Sequence, residues 1–264
     1  MTEPRQRTLL ITGGSSGIGQ ATARLFASRG WRVYEMSRSG VDGEGVVHIS
    51  ADVTRLEDCR RAVEEVLANV PVIDIVICNA GMGISGEAEF TSAEDMHRQM
   101  EVNFFGAVNV VQAMLPSMRE QRGGRILMVR SLVALFSIPF QAYYSASKAA
   151  LNSFALALRN EVAPWGIRVA CLMPGDVRTG FTAARRKSNI GQEIYPAMQR
   201  SVAVMEHSEA VGQSTERIAR RLYRMAVCRH LAAVHYEGFR YHVLVTLAKM
   251  LPTTLVNWAV GKIY

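Results

Sequence analysis

A tyrosine and a lysine four residues apart carry the clearest chemical signal in the chain. Tyr144 and Lys148 stand in the segment YYSASK, at the start of a helical pattern predicted over Tyr143–Val162. Their side chains therefore share one helix face. A free phenol has a pKa of about 10, and a nearby ammonium lowers that pKa because it favours the phenolate. The pair predicts a tyrosine tuned for general acid–base catalysis, although the same two residues also occur on ordinary surface helices.

A glycine-rich loop is the second signal. The stretch TLLITGGSSGIG at residues 8–19 places Gly13, Gly17 and Gly19 between a predicted strand and a predicted helix. Such a loop lets the backbone approach an anion closely, and the N–H groups of the helix N-terminus point at it. The spacing is not that of the GxGxxG dinucleotide fingerprint. Taken alone, the loop fits a bare turn as well as a phosphate site.

The elements that must position these residues alternate between strand and helix. This alternation predicts an α/β fold, a doubly wound Rossmann-type parallel sheet of about seven strands with helices on both faces. The predicted strands are Thr8–Thr12, Arg32–Met36, Val46–Ser50, Ile73–Cys78, Arg125–Val129, Ile167–Met173 and one within Leu231–Phe239. The predicted helices are Gly17–Ser28, Arg55–Ala68, Asn103–Arg119, Tyr143–Val162 and Ser214–Val227. Residues from Pro174 to about Met205 read as irregular, and the tail reads as two short helices broken at Pro252.

Composition limits the class of protein. The chain has 264 residues, of which 49% are hydrophobic and 20% charged, and no linker or repeat divides it, so we expect one domain over residues 1–264. Despite a net charge of +7, the basic residues are scattered, which argues against nucleic-acid binding. The N-terminus has no apolar core of a secretory signal, and no apolar run is long enough to span a bilayer. The widely spaced cysteines indicate neither a metal site nor disulfides, which favours a reducing cytoplasm.

Five ordered motifs make the sequence resemble the short-chain dehydrogenase/reductase family. They are TGGSSGIG at residues 12–19, ADV at 51–53, CNAG at 78–81, YYSASK at 143–148 and PGDVRT at 174–179. The resemblance is strong over residues 8–180 and weak over the C-terminal third. It implies hydride transfer between a nicotinamide cofactor and a carbonyl or a secondary alcohol.

The resemblance also implies a role for each matched residue. Tyr144 would donate a proton in reduction and accept one in oxidation, and Lys148 would hold the cofactor ribose and bias Tyr144. Ser131, thirteen residues before Tyr144, would orient the substrate carbonyl, and Asn103 would help to hold a proton-relay water. No metal is implied. The implied cofactor-binding residues are Gly13, Ser15, Ser16, Gly17, Ile18, Gly19, Ser37, Arg38, Asp52, Val53, Asn79, Ala80, Gly81, Tyr144, Lys148, Pro174, Gly175, Val177 and Thr179.

Two of these roles have plain alternatives, and one neighbour departs from the family pattern. Ser131 could be an ordinary serine at a strand end, and Asn103 could be the N-cap of a helix. The family often has small residues beside the serine, whereas this chain has Arg130. The sequence does not say which way that cation points.

The end of the second strand bears on the choice of cofactor. NAD-dependent enzymes place an acidic residue there to bind the ribose 2′-hydroxyl, whereas this chain has Ser37 and Arg38. An arginine can bind a 2′-phosphate through its paired donors, so NADP(H) is the preferred cofactor. NAD(H) is the alternative if Glu35, two residues earlier, takes the acidic position. The glycine loop offers Ser15 and Ser16 and lacks the basic residue that some NADP-dependent members carry.

The substrate is indicated only by apolar segments. Residues 131–140, SLVALFSIPF, are strongly apolar, and a lid over about 174–210 adds Phe181, Ile190, Ile194, Tyr195 and Met198. Such walls suit an apolar carbonyl or alcohol, for example a steroid or an acyl chain, unless they only pack the core. The basic cluster ARRK at 184–187 could meet a substrate phosphate or carboxylate, or face water.

The tail and the family together suggest partners. The helical tail at about 240–264 carries Trp258 and Tyr264 among few charges, so it could lie on a membrane interface or pack on the domain or a second subunit. The resemblance implies a homodimer or homotetramer formed through the two long helices. Two other functions stay open, an NAD(P)-dependent dehydrogenase working mainly by oxidation and a cofactor-sensing regulator without turnover.

Overall fold

A parallel sheet organises the molecule. The computed structural model describes residues 5–188 and 190–264. The strands of this part are β1 Thr8–Thr12, β2 Arg32–Ser37, β3 Val46–Ser50, β4 Ile75–Cys78, β5 Ile84–Ser85, β6 Gly124–Val129, β7 Ile167–Met173, β8 Arg186–Lys187 and β9 Val234–Tyr236. Its helices are α1 Gly17–Ser28, α2 Leu56–Asn69, α3 Ala93–Met100, α4 Gly106–Glu120, α5 Ala142–Val162, α6 Phe181–Ala184, α7 Ala197–Ala210, α8 Thr215–Val227, α9 Phe239–Met250 and α10 Thr253–Ile263.

The order of the strands determines where the sheet has a crevice at its carboxyl edge. The main sheet runs β3-β2-β1-β4-β6-β7-β9 with every pairing parallel. The chain winds outward in opposite directions from β1 and β4, so their carboxyl ends flank the point where ligands bind in doubly wound sheets. In register, Ile11 of β1 lies between Glu35 and Ile77. The predicted α/β class and single Rossmann-type domain are confirmed.

Apolar strand residues fill both faces of the sheet. One core lies under α2, α4 and α5 and includes Leu10, Val76 and Met114, all fully buried. The other lies under α1 and α8, where Phe26 packs edge-on against Trp31 at 5.1 Å between ring centroids. Burial on both faces explains why the strands read as continuous apolar runs rather than as alternating patterns.

Most predicted elements are found within a few residues of their expected bounds, and the departures lie around the site. The prediction of an irregular segment from Pro174 to about Met205 is wrong, because α6, β8 and most of α7 lie within it. β8 forms only by pairing with the distant β5, through Ile84 and Arg186, and a local pattern cannot foresee such a pairing. Helix α3 was also missed, although Ser92 caps it by accepting from the backbone N–H of Asp95 at 3.1 Å. The tail breaks at Pro252 as predicted.

Within the described residues, no helix combines the length and apolar character needed to cross a bilayer.

Candidate active site

Three groups implied by the motifs meet at the carboxyl end of the sheet. Tyr144 and Lys148 lie one turn apart on α5, with the Lys148 Nζ 5.8 Å from the centroid of the Tyr144 ring. Ser131 follows β6 at the start of a short 3₁₀ turn, where its hydroxyl accepts from the backbone N–H of Val133 at 3.3 Å. The same hydroxyl is near enough to the Tyr144 phenol to lower its pKa. A phenol, an ammonium and a hydroxyl thus gather in one place, as a proton donor and a carbonyl-binding group must.

Burial controls the ionisation of this group. Burial raises the pKa of Tyr144 to about 12, the positive charge of Arg185 opposes that rise, and the negative charge of Glu209 adds to it. Burial and the neighbouring Arg130 together lower the pKa of Lys148 to about 8. The expectation that Lys148 lowers the tyrosine pKa is therefore wrong here, because loss of hydration outweighs the attraction of a cation. Tyr144 is held as a neutral phenol at neutral pH.

Asn103 lies inside a helix rather than at its start. It is buried in a π-helical turn, Glu101–Phe105, that joins α3 to α4, so the alternative of an N-cap is wrong. Its Oδ1 accepts from the backbone N–H of Met82 at 2.8 Å, and its Nδ2 donates to the Met82 carbonyl and to the Ser147 hydroxyl. Such π-turns often mark functional sites because they re-aim a side chain.

Gly81 lies between the side chains of Asn103 and Lys148. A Cβ added to Gly81 would lie 3.2 Å from the Asn103 Oδ1 and 3.4 Å from the Lys148 Nζ. The two polar groups therefore face each other across a residue that has no side chain. This arrangement is compatible with the water relay between Asn103 and Lys148 that the resemblance implies.

The glycine loop fits a phosphate-bearing cofactor. Gly13 and Gly17 adopt positive φ angles of 65° and 55°, which favour glycine, and a Cβ on Gly19 would lie 2.1 Å from the Gly13 carbonyl oxygen. Ser16 precedes α1 in extended conformation, and its side chain makes no capping hydrogen bond. The first N–H groups of α1, including that of Ile18, are therefore left without a side-chain cap, as an anion-binding helix N-terminus requires. Ser15 lies half-buried in the same loop.

The end of β4 is tied to this loop. Asn79 donates from Nδ2 to the carbonyl oxygens of Thr12 and Gly13, at 3.1 and 3.2 Å. The backbone N–H groups of Asn79 and Ala80 both donate to the Thr12 hydroxyl at 3.0 Å. A Cβ on Gly13 would come within 3.0 Å of the Ala80 Cα. The CNAG and glycine motifs thus form one rigid wall of the crevice.

The ADV motif forms the second wall. Asp52 closes a turn by accepting from the backbone and the hydroxyl of Thr54 at 3.0 and 2.9 Å. Val53 is buried against Gly106, and its carbonyl accepts from the Asn109 side chain at 2.9 Å. Asn109 therefore holds the loop of Asp52 and Val53, which the resemblance assigns to cofactor binding.

The PGDVRT motif reaches the crevice from above the sheet. A Cβ on Gly17 would lie 3.7 Å from Thr179, so the end of this motif faces the glycine loop. The Pro174 carbonyl accepts from the N–H of Leu132, the residue after Ser131, at 3.4 Å. Gly175 packs so closely against the Tyr241 ring that no side chain would fit. Val177 pairs with Gln213 in an isolated parallel bridge, which anchors the middle of the motif.

The residues at the end of β2 differ in solvent exposure and in the hydrogen bonds that they already make. Ser37 is the last residue of the strand, and Arg38 after it is exposed, with no acidic partner among the described residues. Glu35 is 2% exposed and accepts from the Ser37 hydroxyl at 3.1 Å and from the His48 ring. Its carboxylate is enclosed beneath Gly14, where a Cβ would lie 3.0 Å from Oε2. The exposed group at this position is therefore a cation, not a carboxylate.

An ion pair beside Tyr144 is missing from the sequence prediction. Arg185 is buried, and its guanidinium contacts both carboxylate oxygens of Glu209 on α7, at 2.5 and 3.1 Å. It also lies over the Phe181 ring, which packs 6.0 Å from the Tyr144 ring. The only sequence signal was the ARRK cluster, for which a substrate anion or water was expected.

The other two cations of that cluster are also paired. Arg186 contacts Asp95 at 2.7 Å, and Lys187 contacts Glu206 at 2.6 Å. The basic cluster therefore fastens the segment after α6 to α3 and α7. It contributes structure to the site, and its charges are already matched by carboxylates of the chain.

Arg130 is buried in the core close to Lys148. It is 3% exposed, and its guanidinium donates from Nη1 to the side-chain oxygen of Asn152. Two of its nitrogens, Nε and Nη2, have no hydrogen-bond partner among the described residues. Its charge acts on Lys148, one turn before Asn152 on α5, so the departure from the family pattern reaches the site electrostatically.

Apolar side chains surround the site unevenly. Met198 is buried with Val202 and Met205, and Phe140, whose φ of 62° is unusual for a bulky residue, packs on this cluster. The side chains of Ile190 and Ile194 are 77% and 65% exposed. Of the five lid residues predicted, Phe181 and Met198 pack inward, Tyr195 packs edge-on to Phe140, and the two isoleucines face outward.

Among the described residues, no group of three His, Cys, Asp or Glu side chains is placed to hold a metal ion.

Comparison with known proteins agrees with this geometry. A family model described as short chain dehydrogenase matches residues 7–190. The sequence is 34% identical over 261 residues to a 3-ketodihydrosphingosine reductase of Bacteroides thetaiotaomicron, with 97% of each chain covered.

Solved structures share the fold over almost the whole chain. A short-chain dehydrogenase from Streptomyces avermitilis superposes with a TM-score of 0.85 at 25% identity, covering 99% of this chain and 98% of that one. An alcohol dehydrogenase from the archaeon Thermococcus sibiricus, complexed with 5-hydroxy-NADP, gives 0.73 at 25% identity over 88% and 96% of the two chains. This chain belongs to the short-chain dehydrogenase/reductase family and is an NAD(P)-dependent oxidoreductase acting on C=O or CH–OH groups.

Proposed function

We propose that the protein is an NADP(H)-dependent carbonyl reductase that converts an apolar ketone, such as a lipid or acyl ketone, into a secondary alcohol. The observation that carries the proposal is the placement of the Ser131 hydroxyl beside the Tyr144 phenol, whose pKa it helps to lower, with Lys148 on the same helix face. It joins a proton donor to a carbonyl-binding hydroxyl at one end of a crevice lined by the glycine loop. Each group has the protonation state that reduction needs at neutral pH, because Tyr144 is a phenol and Lys148 an ammonium.

The chain's own residues divide the work of the reaction. When bound, the nicotinamide cofactor supplies the hydride. Ser131 donates a hydrogen bond to the substrate oxygen as negative charge grows there, and Tyr144 gives that oxygen its proton. Lys148 holds the cofactor ribose and stabilises the phenolate left behind. Asn103 fixes a water through which Lys148 exchanges protons with solvent.

Preference for NADP(H) is supported by Arg38. Its guanidinium is exposed at the end of β2 and has no acidic partner in the described part of the chain, so it is free to bind a 2′-phosphate. Glu35, the acidic alternative, is enclosed and already bound to His48 and Ser37. The alcohol dehydrogenase of Thermococcus sibiricus, with its bound 5-hydroxy-NADP, shares the fold.

A lipid ketone is supported by the walls of the site and by a relative. Leu132 beside the serine, Phe181 over Tyr144 and the buried cluster around Met198 are apolar. Walls of this kind favour alkyl chains over polar substrates. The Bacteroides relative is named for reducing a 3-ketodihydrosphingosine, a long-chain ketone, and its similarity covers the tail as well as the sheet.

Residues 174–210 act as the substrate lid in this proposal. The Arg185–Glu209 pair and the Lys187–Glu206 contact tie the first half of the segment to α7, so the two halves would move together. Closure would seal Tyr144 from water and strengthen the electrostatic effect of the groups around it.

Turnover with a matched tyrosine pair tests the function. NADPH consumption is followed at the nicotinamide absorbance with ketones of increasing chain length, including a long-chain 3-ketone. The native enzyme should reduce the longer chains with lower KM, and Tyr144→Phe should lose about 10²–10⁴-fold in kcat. Tyr143→Phe is the control, because within the described residues this neighbouring hydroxyl donates to the Ala88 carbonyl and not to a group of the site.

Each failure of this experiment has a distinct meaning. Full activity of Tyr144→Phe would remove the proton-donor role. No turnover of any ketone, with NADPH still bound, would favour the cofactor-sensing regulator. Faster oxidation of the alcohols than reduction of the ketones at neutral pH would favour the oxidative dehydrogenase.

Assembly and compartment are the remaining parts of the proposal. The long helices α4 and α5 carry outward apolar residues at their surfaces, for example Leu156 at 38% exposure, and a homodimer or homotetramer through them would cover such residues. Cys59, Cys78 and Cys171 are free and buried, which suits a reducing cytoplasm. Sedimentation velocity would give the number of subunits directly.

A further inference from the structure

The tail helices present an apolar face to solvent. On α9, the outward residues are Phe239, Val243, Leu247 and Met250, of which Phe239 is 84% and Met250 78% exposed. At 3.6 residues per turn they lie within an arc of about 80°, opposite the buried Tyr241 and Val245. Monomeric proteins rarely leave such a stripe uncovered.

Helix α10 also presents apolar residues to solvent. Leu255 and Trp258 lie three residues apart on one face of α10, and Trp258 is 62% exposed. Only Leu251 and Pro252 separate the two helices, so their outward residues stay close along the chain. We call these outward residues of α9 and α10 the tail face. Tryptophan at such a position is typical of the boundary between water and lipid.

The charged residues of the tail itself have one sign. Residues 238–264 contain Arg240, Lys249 and Lys262 and no aspartate or glutamate. A surface with this balance of apolar and cationic groups complements an anionic lipid headgroup layer. Two copies of it would bring like charges together, which disfavours pairing with itself.

A cluster of arginines extends this charge. Arg217, Arg221 and Arg224 of α8 share the single carboxylate of Glu237, at 2.9, 3.7 and 3.5 Å. The cluster and Phe239 line one cavity of about 430 Å³ at the start of α9. Three guanidiniums for one carboxylate leave positive charge available beside the most exposed aromatic ring of the tail face.

We propose that the tail face docks on an anionic lipid bilayer, with Phe239, Met250 and Trp258 entering the headgroup layer and the α8 arginines contacting lipid phosphates. The docking proposal depends only on the tail face and the α8 arginines, and not on the proposed function. A second step rests on the proposed function, that the docked enzyme takes its lipid ketone directly from the bilayer.

The inner side of the tail connects docking to the site. The Tyr241 hydroxyl bonds to Asp176 in the PGDVRT motif, at 3.2 Å to both its backbone N–H and Oδ2. Tyr264, at the end of α10, packs on the lid cluster of Met198, Val202 and Met205. A bilayer that holds the tail therefore lies next to the lid, where an apolar substrate would enter.

Vesicle flotation of the full-length protein tests docking without any need for turnover. Vesicles of phosphatidylcholine alone are compared with vesicles containing phosphatidylglycerol. The native protein should float with the anionic vesicles at least tenfold more than with the neutral ones, and high salt should reduce the difference. The variant Phe239→Ser/Met250→Ser/Trp258→Ser should lose flotation at least tenfold, and Arg217→Gln/Arg224→Gln should lose the preference for anionic lipid.

The matched control replaces exposed apolar residues elsewhere. Val41→Ser/Val211→Ser removes side chains that are 85% and 71% exposed and lie far from the tail in sequence, and it should float like the native protein. Circular dichroism and reduction of a small water-soluble ketone verify that each variant is folded. Lack of flotation by the native protein, equal flotation of the tail variant, or a change of subunit number in the tail variant would overturn the proposal, the last by assigning the face to a second copy.

The two proposals fail separately. A protein that reduces lipid ketones in detergent but does not float keeps the proposed function and loses docking. A protein that floats but reduces no ketone keeps docking and loses the function. If both stand, anionic vesicles should raise the rate on a long-chain ketone severalfold in the native enzyme and leave the rate on the soluble ketone unchanged.

Discussion

The guanidinium of Arg185 holds down the pKa of the Tyr144 phenol against the burial that raises it. Arg185 reaches this position because Glu209 binds it through two oxygens from α7. The site therefore contains a cation that faces the tyrosine from the lid side, opposite Lys148 on α5. In the proposed mechanism, movement of the segment that carries Arg185 would change the pKa of Tyr144, and this change would couple substrate access to proton transfer.

Replacement of Arg185 should make Tyr144 a weaker acid. In Arg185→Gln the opposing charge is lost and Glu209 stays, so the tyrosine pKa rises further. Oxidation of an alcohol needs the Tyr144 phenolate. In the Arg185→Gln variant, the rate of oxidation should therefore begin to rise at a higher pH than in the native enzyme. The measurement is kcat against pH in the oxidative direction, with Arg186→Gln, on the outer side of the segment, as control. Unchanged profiles would show that Arg185 serves the lid alone.

Sequence reasoning located the groups that lie on one element and missed those joined across elements. Tyr144 and Lys148 were found because helical spacing fixes their common face. β1 and β4 were found because buried parallel strands have an apolar signature, and the glycine loop was found by its place between a strand and a helix and by its match to the family motif. Arg185 was not found, because its burial depends on Glu209, 24 residues later, and on a strand pairing that no local pattern encodes.

Burial is also the reason that the tyrosine pKa was predicted in the wrong direction. Composition and spacing identify the charges near a group, but only the packed structure gives the loss of hydration that acts against them. For Tyr144 the burial comes from Phe181 and the lid, which lie far along the chain. Arguments from the charges in the sequence therefore identify the charged neighbours of Tyr144, but they do not give the direction in which its pKa shifts.

Removal of Arg130 should raise the pKa of Lys148. The value of about 8 results from burial and from repulsion by Arg130, so Arg130→Met leaves burial alone and moves the pKa upward. The ammonium then persists to higher pH, and the alkaline fall in kcat for reduction should shift the same way. Arg130→Lys, which keeps a positive charge, should restore the native profile. A loss of stability without any shift of the profile would mean that Arg130 has only a packing role with Asn152.

Replacement of Arg38 should weaken one cofactor selectively. Charge-assisted hydrogen bonds contribute about 1.5–3 kcal/mol each, so Arg38→Ala should lower NADPH affinity about ten- to hundredfold and change NADH affinity little. Tryptophan or nicotinamide fluorescence titration measures both constants. Arg60→Ala, an exposed arginine of α2, removes the same charge at another place and should have no such effect. Equal affinity of the native enzyme for NADH and NADPH would instead bring Glu35 into the cofactor site.

Alkaline conditions should destabilise the fold through its buried thiols. Burial raises the pKa of Cys78 from 9.0 to about 12, so the folded state keeps a proton that the unfolded state loses between those values. The stability that this thiol contributes is present below pH 9 and is lost as pH rises toward 12. At 1.36 kcal/mol per pKa unit, the loss of folding free energy from Cys78 between pH 9 and 10.5 is about 2 kcal/mol.

Lys148 acts in the opposite direction, since its lowered pKa adds stability as pH rises from about 8 to 10.5. Urea unfolding under reducing conditions at pH 8, 9 and 10.5 should therefore show a smaller alkaline loss in Cys78→Ala than in the native protein, and Cys228→Ala, whose thiol is only partly buried, should keep the native slope. A native slope in Cys78→Ala would assign the alkaline loss to other groups, of which Cys59, with the same raised value, is the first to test.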